Sequence, residues 1–91
     1  MHVEWQGDYR LLDESGEKQA FERELIRLGL DPSKFMVEVR REPDLPAADG
    51  LHAVRYNVYI TDLEHPERDT LKLDGGLGEN WIAKFAQIHD R

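Results

Sequence analysis

The stretch "AVRYNVYIT", residues 53–61, decides the fold, because its apolar and polar residues alternate from one position to the next. Successive side chains of a β-strand point to opposite faces. The apolar, inward set is Val54, Tyr56, Val58 and Ile60, and the polar, outward set is Arg55, Asn57, Tyr59 and Thr61. A strand with one apolar and one polar face is typical of an antiparallel sheet that is covered on one side.

Two other stretches carry the same alternation and complete a three-stranded meander. "FMVEVRRE", residues 35–42, places Phe35, Val37 and Val39 inward, and "TLKLD", residues 70–74, places Leu71 and Leu73 inward. A long connection with two prolines, "PDLPAADGL", and a polar turn, "DLEHPERD", join the three strands.

Two amphipathic helices flank this meander. Phe21, Leu25 and Leu28 recur at helical spacing within residues 16–28, with Ser15 as the predicted N-cap and Gly29 as a left-handed stop. A second helix begins near Trp81. Its core-facing stripe is Trp81, Ile82, Phe85, Ile88 and His89.

The N-terminal stretch "HVEWQGDYRLL" predicts a strand with a bulge or a small hairpin. The segment around Trp5 either forms a fourth strand at the sheet edge or lies across the sheet and covers it. The predicted fold is therefore α+β, a two-layer sandwich in one domain, residues 1–91. An antiparallel sheet of three or four strands carries two helices on one face, in the order (β)-α-β-β-β-α.

The composition narrows the range of partners. Nineteen acidic and twelve basic residues give a net charge of −7, which repels nucleic acid and anionic membranes unless the basic residues cluster. There is no cysteine, and therefore neither a disulfide framework nor a thiolate site. The first residues do not resemble a signal peptide, and no apolar run approaches the roughly 20 residues needed to span a bilayer. We expect a cytoplasmic protein with no membrane partner.

The glycine-rich stretch "LDGGLGENWIAKF", residues 73–85, leads into the second helix, as phosphate-binding loops do. It lacks the Lys-Ser/Thr pair of a P-loop, and Asp74 and Glu79 would repel an anion. We interpret it as a strand-to-helix corner that needs a positive φ.

No catalytic, metal or cofactor site is predicted, nor is a small-molecule substrate. The four histidines are dispersed, and no nucleophile motif is present. The oxygen-rich "DLEHPERD" segment is the one alternative, a site for a hard cation. It lacks the glycine and final glutamate of a calcium loop, and a solvated turn is favoured.

Three segments together resemble the double-stranded RNA-binding domain: "RLGLDPSKFMVEV", "DGLHAVRYNVYIT" and "GLGENWIAKFAQI". The resemblance implies the helix, three strands, helix order, and RNA binding through His52, the long loop and the second helix. In that family a lysine pair at the start of the second helix grips phosphates. Asn80 and Trp81 stand at those positions here.

These observations favour a non-enzymatic module that binds a protein partner or a second copy of itself. RNA binding is the alternative, although nucleic acid is a less favoured partner. A loop histidine and the basic and aromatic residues of the outward sheet face are the candidate binding residues: His52, Arg40, Arg55, Tyr59 and Lys72.

Overall fold

The fold is described from a computed structural model, which covers residues 2–13, 16–42, 55–76 and 80–89. It is an α+β fold with four strands and two helices in these residues, in the predicted order β-α-β-β-β-α. The elements are β1 (Glu4–Gly7), α1 (Glu17–Arg27), β2 (Phe35–Arg41), β3 (Tyr56–Asp62), β4 (Leu71–Gly75) and α2 (Trp81–His89).

The sheet has the strand order β1-β2-β3-β4 and is mixed. Strands β2, β3 and β4 form the predicted antiparallel meander, but β1 runs parallel to β2, with Trp5 opposite Val37. The prediction of an entirely antiparallel sheet is therefore wrong for the fourth strand. Since α1 lies between β1 and β2, the chain crosses over before it re-enters the sheet, which is how parallel neighbours are connected.

The N-terminal segment forms an edge strand, which settles one of the alternatives left open by its sequence. After Gly7 the chain turns into a short 3₁₀ helix, Tyr9–Leu12, and does not form a hairpin. Leu12 is completely buried by this turn. The backbone N–H of Val3 donates to the Glu22 carboxylate at 2.8 Å, which fastens the start of β1 to α1.

The register of the meander confirms the predicted inner face. Val37 lies opposite Ile60, and Val58 lies between Val39 and Leu73. The inner residues described as buried are Phe35, Val37, Val39, Tyr56, Val58, Ile60 and Leu73. Of the other two members of the predicted set, Leu71 is partly buried against this core, and Val54 lies outside the described residues.

Helix α1 ends as predicted. Gly29 has a φ of 78°, its N–H donates to Ile26 at 3.0 Å, and the N–H of Leu30 donates to Leu25 at 2.8 Å. This pair of hydrogen bonds is a Schellman motif, which satisfies the last carbonyls of the helix. The prediction of Ser15 as the N-cap is wrong: Gly16, with a φ of 72°, is the N-cap of α1, and no side chain in the part of the chain that the structure describes caps the helix there.

Aromatic rings join the two helices above the inner face. The Phe21 ring is completely buried, with its centroid 4.9 Å from that of Trp81 and 5.1 Å from that of Phe85. Trp5 of β1 meets Phe21 edge-on at 6.1 Å. Because these residues and the inner strand residues form one buried cluster, both helices lie on the same side of the sheet.

A glycine corner connects β4 to α2. Gly76 has a φ of 89°, as the corner interpretation predicts, and Gly75 makes room for Tyr56. A Cβ on Gly75 would lie 2.1 Å from Cε2 of the Tyr56 ring. The Tyr56 hydroxyl donates to the Glu17 carboxylate at 2.5 Å. Residues 77–79, the rest of the glycine-rich turn, lie outside the described residues.

Candidate functional site

The outer face of the sheet is the surface that the two helices leave open among the described residues. Its side chains come from alternate positions of all four strands, in rows that the register sets side by side. The rows across β2, β3 and β4 are Glu38, Tyr59 and Lys72, followed by Arg40, Asn57 and Asp74. Edge strand β1 adds Gln6 opposite Glu38.

Tyr59 lies at the centre of this face. Glu38 and Lys72 are its cross-strand neighbours, and the guanidinium carbon of Arg40 lies 5.2 Å from the centroid of its ring. Arg40 also pairs with the Glu38 carboxylate at 3.1 Å. Together these contacts hold an aromatic ring and a cation in a fixed relation at the surface.

Three of the predicted binding residues, Arg40, Tyr59 and Lys72, are brought together on this face. Arg55 is exposed immediately before β3, where its carbonyl accepts a hydrogen bond from the N–H of Glu42 at 2.9 Å. His52 lies outside the described residues. We define the outer-face patch as Glu38, Arg40, Tyr59 and Lys72.

A groove lies between the end of α2 and the β3–β4 connection. Its volume is about 710 Å³, and its apolar floor is formed by Phe35, Ile60, Leu71, Phe85 and Ile88. The sequence pattern assigned Ile88 to the core, whereas 45% of its surface is exposed. The period of the helix gave the correct face but could not show that a groove leaves the last turn of α2 partly open.

The side chains at the rim of this groove are charged and form ion pairs with one another. Arg68 lies 3.8 Å from Asp62, and His65 lies 3.1 Å from Glu67. Hydrogen bonding from its own backbone N–H and then from His65 lowers the pKa of Glu67. No three histidine, aspartate or glutamate side chains of the described residues are grouped as metal ligands, and this includes the "DLEHPERD" segment.

Among the described residues, the titratable group with the largest pKa shift is Tyr56, on the inner face. Burial, followed by its hydrogen bond to the Glu17 carboxylate, raises the pKa of the Tyr56 phenol well above its usual value. Perturbed pKa values often mark catalytic groups. Here the side chain is buried beneath Gly75 and already bonded, and a structural role explains it: the pair ties the start of α1 to β3.

The resemblance to the double-stranded RNA-binding domain makes the start of α2 important, because that family carries its phosphate-gripping lysines there. In this chain the start of α2 is packed against α1, since Phe21 contacts Trp81. Trp81 is completely buried, and its neighbour Asn80 accepts a hydrogen bond from the N–H of Ala83 at 3.1 Å. The residues at the positions of the phosphate-gripping lysines are therefore a core side chain and a helix cap.

Comparison with known proteins returned no family model, characterised protein or solved structure that matches this chain. Neither of the two described helices is long and apolar enough to cross a membrane. The longer one, α1, has 11 residues and carries charged side chains along its length.

Proposed function

We propose that this domain is a non-enzymatic protein-interaction module that binds a protein partner through the outer-face patch. One observation carries the proposal. Both helices pack on the inner face, so the outer face of the sheet has no described element packed on it, and a tyrosine with an arginine beside its ring lies at its centre. We further propose that the protein is cytoplasmic, which its lack of cysteine supports.

The chemistry of the patch suits a protein surface. Tyrosine and arginine, together with tryptophan, are enriched among the residues that contribute most of the binding energy in protein–protein interfaces. The contacts of Arg40 with Tyr59 and Glu38 restrict the side chains of Arg40 and Glu38 before a partner binds, which reduces the conformational entropy lost on binding. Charges of both signs in neighbouring rows favour a partner of complementary charge pattern.

RNA binding receives less support. It is suggested by the order helix, three strands, helix, but Trp81, the first residue of α2, is in the core and cannot contact a phosphate. Recognition of an RNA duplex depends largely on shape, phosphate and 2′-hydroxyl contacts. A net charge of −7 adds repulsion at long range.

Site-specific photo-crosslinking tests the proposal. A benzophenone amino acid replaces Tyr59 in one version of the full chain and Gln19, exposed on α1, in the control version. After irradiation in the cell of origin, we expect covalent protein adducts at position 59 and not at position 19. The partner identified from the adduct should then bind the Tyr59→Ala variant at least about tenfold more weakly, and Gln19→Ala unchanged.

Equal adducts at the two positions, or no adduct at position 59, would contradict the proposal. Adducts that ribonuclease removes would support the RNA alternative in its place. Adducts with the mass of two copies of the chain would show that the protein near Tyr59 is a second copy of the chain.

A further inference from the structure

Strand β4 forms one edge of the sheet. Two main-chain hydrogen bonds at the ends of the β2–β3 pair show which residues of β4 direct their N–H and C=O groups to the open edge. The N–H of Leu63 donates to Lys34, and the N–H of Glu42 donates to Arg55, each at 2.9 Å. Odd-numbered residues of β3 therefore direct their main-chain groups toward β2, and even-numbered residues direct theirs toward β4.

The partners of those even-numbered residues are Leu71, Leu73 and Gly75. These three direct their main-chain groups back toward β3, so Lys72 and Asp74 direct theirs to the open edge. No strand of the described residues pairs with that side. The two side chains are exposed on the outer face and make no ion pair within the described part of the chain.

This edge is complementary to itself in one register. In an antiparallel pair with a second copy, residues whose main-chain N–H and C=O groups point to the open edge must lie opposite each other. A two-fold axis between the two β4 strands can therefore pass through residue 72, 73 or 74. Centring on Lys72 or on Asp74 places that charge against its own copy, which is unfavourable. Centring on Leu73 places Lys72 opposite Asp74 on both sides of the axis.

We propose that two copies of this chain associate through β4, antiparallel, with the two-fold axis at Leu73. Lys72 of each copy then faces Asp74 of the other, in a pair that exchanges main-chain hydrogen bonds. About four such bonds form across the junction. The contact is isologous, as two-fold dimers require, and closes after two copies.

This dimer does not rest on the proposed function. It joins the two sheets edge to edge and leaves both outer-face patches facing the same side of the longer sheet. If the protein is a monomer, the partner-binding proposal is unaffected. If photo-crosslinking at Tyr59 fails, the dimer proposal is unaffected.

Sedimentation equilibrium of the purified full chain, with a monomer mass of 10.6 kDa, tests the dimer. We expect a reversible dimer whose dissociation constant rises about ten- to thirty-fold in Lys72→Asp and in Asp74→Lys, since each variant puts like charges opposite on both sides of the axis. An equimolar mixture of the two variants should restore the dimer, because every pair is then of opposite sign. Arg23→Asp, an equal charge change at an exposed position on α1, should leave the dissociation constant unchanged.

A monomer at all concentrations, a dimer unaffected by either variant, or a mixture that does not restore association would each overturn the proposal. Amide hydrogen exchange in the unsubstituted protein gives a second test that needs no variant. Exchange at Lys72 and Asp74 should slow as the protein concentration rises, and exchange independent of concentration would equally overturn it.

Discussion

Replacing Gly75 with alanine would place the new Cβ inside the ring of Tyr56, 2.1 Å from Cε2 and 2.6 Å from Cδ2. To restore a separation of 3.4 Å, the ring would have to move by about 1.3 Å. It has little freedom to do so, because its side chain is buried and its hydroxyl is bonded to Glu17 at 2.5 Å.

The cost of this substitution follows from the contacts that must give way. Overpacking a filled core costs about 1–3 kcal/mol, and losing a hydrogen bond to a charged group costs about 1.5–3 kcal/mol. With partial relaxation we expect Gly75→Ala to lower the free energy of unfolding by about 3–4 kcal/mol. A domain of this size has a total stability of about 5–13 kcal/mol, so the variant should still fold.

Urea denaturation followed by tryptophan fluorescence measures this change, since Trp81 is completely buried. We expect the midpoint for Gly75→Ala to fall by roughly 2 M. Gly29→Ala is the matched control: it has open space around the new Cβ but a φ of 78°, and should cost about 1 kcal/mol.

The same substitution in a Tyr56→Val background isolates the steric contact. With the ring removed, Gly75→Ala should cost less than about 1 kcal/mol. A cost similar to that in the unsubstituted protein, or one no larger than that of Gly29→Ala, would refute the explanation.

Two further substitutions test the core. Tyr56→Phe should lower the free energy of unfolding by about 1.5–3 kcal/mol at pH 7. Because folding raises the pKa of Tyr56, the stabilisation by its hydroxyl is complete below pH 10 and is lost as the pH rises further. In urea titrations the difference between the two proteins should therefore narrow by about 1 kcal/mol at pH 11. A difference independent of pH would contradict this. Phe21→Ala should cost about 3–5 kcal/mol because its ring is completely buried among three others, whereas Ile26→Ala, at a side chain 63% exposed on the same helix, should change the unfolding midpoint little. Equal effects of the two would disprove the assigned faces of α1.

Much of the fold follows from local patterns, because periodicity reports which side of an element is buried. The alternation around Tyr56 and Tyr59 gave both faces of β3, and Gly29 gave the end of α1. The direction of β1 did not follow. A strand of four residues has the same alternation whether it pairs parallel or antiparallel, and the direction depends on where α1 returns the chain.

The outer-face patch could be predicted from local periodicity, whereas the contacts between residues distant in the sequence and the groove could not. Arg40, Tyr59 and Lys72 were predicted to share a face, since a two-residue period and a cross-strand register are enough to gather them. The hydrogen bond between Glu17 and Tyr56 joins residues 39 apart in the chain, and nothing local indicates it. The exposure of Ile88 likewise depends on the groove between the end of α2 and the β3–β4 connection, which the period of the helix does not report.

The most direct measurement is the solvent accessibility of the two tyrosine rings of β3. A soluble nitroxide added to the full chain broadens NMR signals of protons that solvent can reach. If the outer face is the open binding surface, the ring signals of Tyr59 should broaden strongly while those of Tyr56 remain sharp. Equal protection of both rings, or broadening of Tyr56 in place of Tyr59, would contradict an open outer face and the partner-binding role proposed for it.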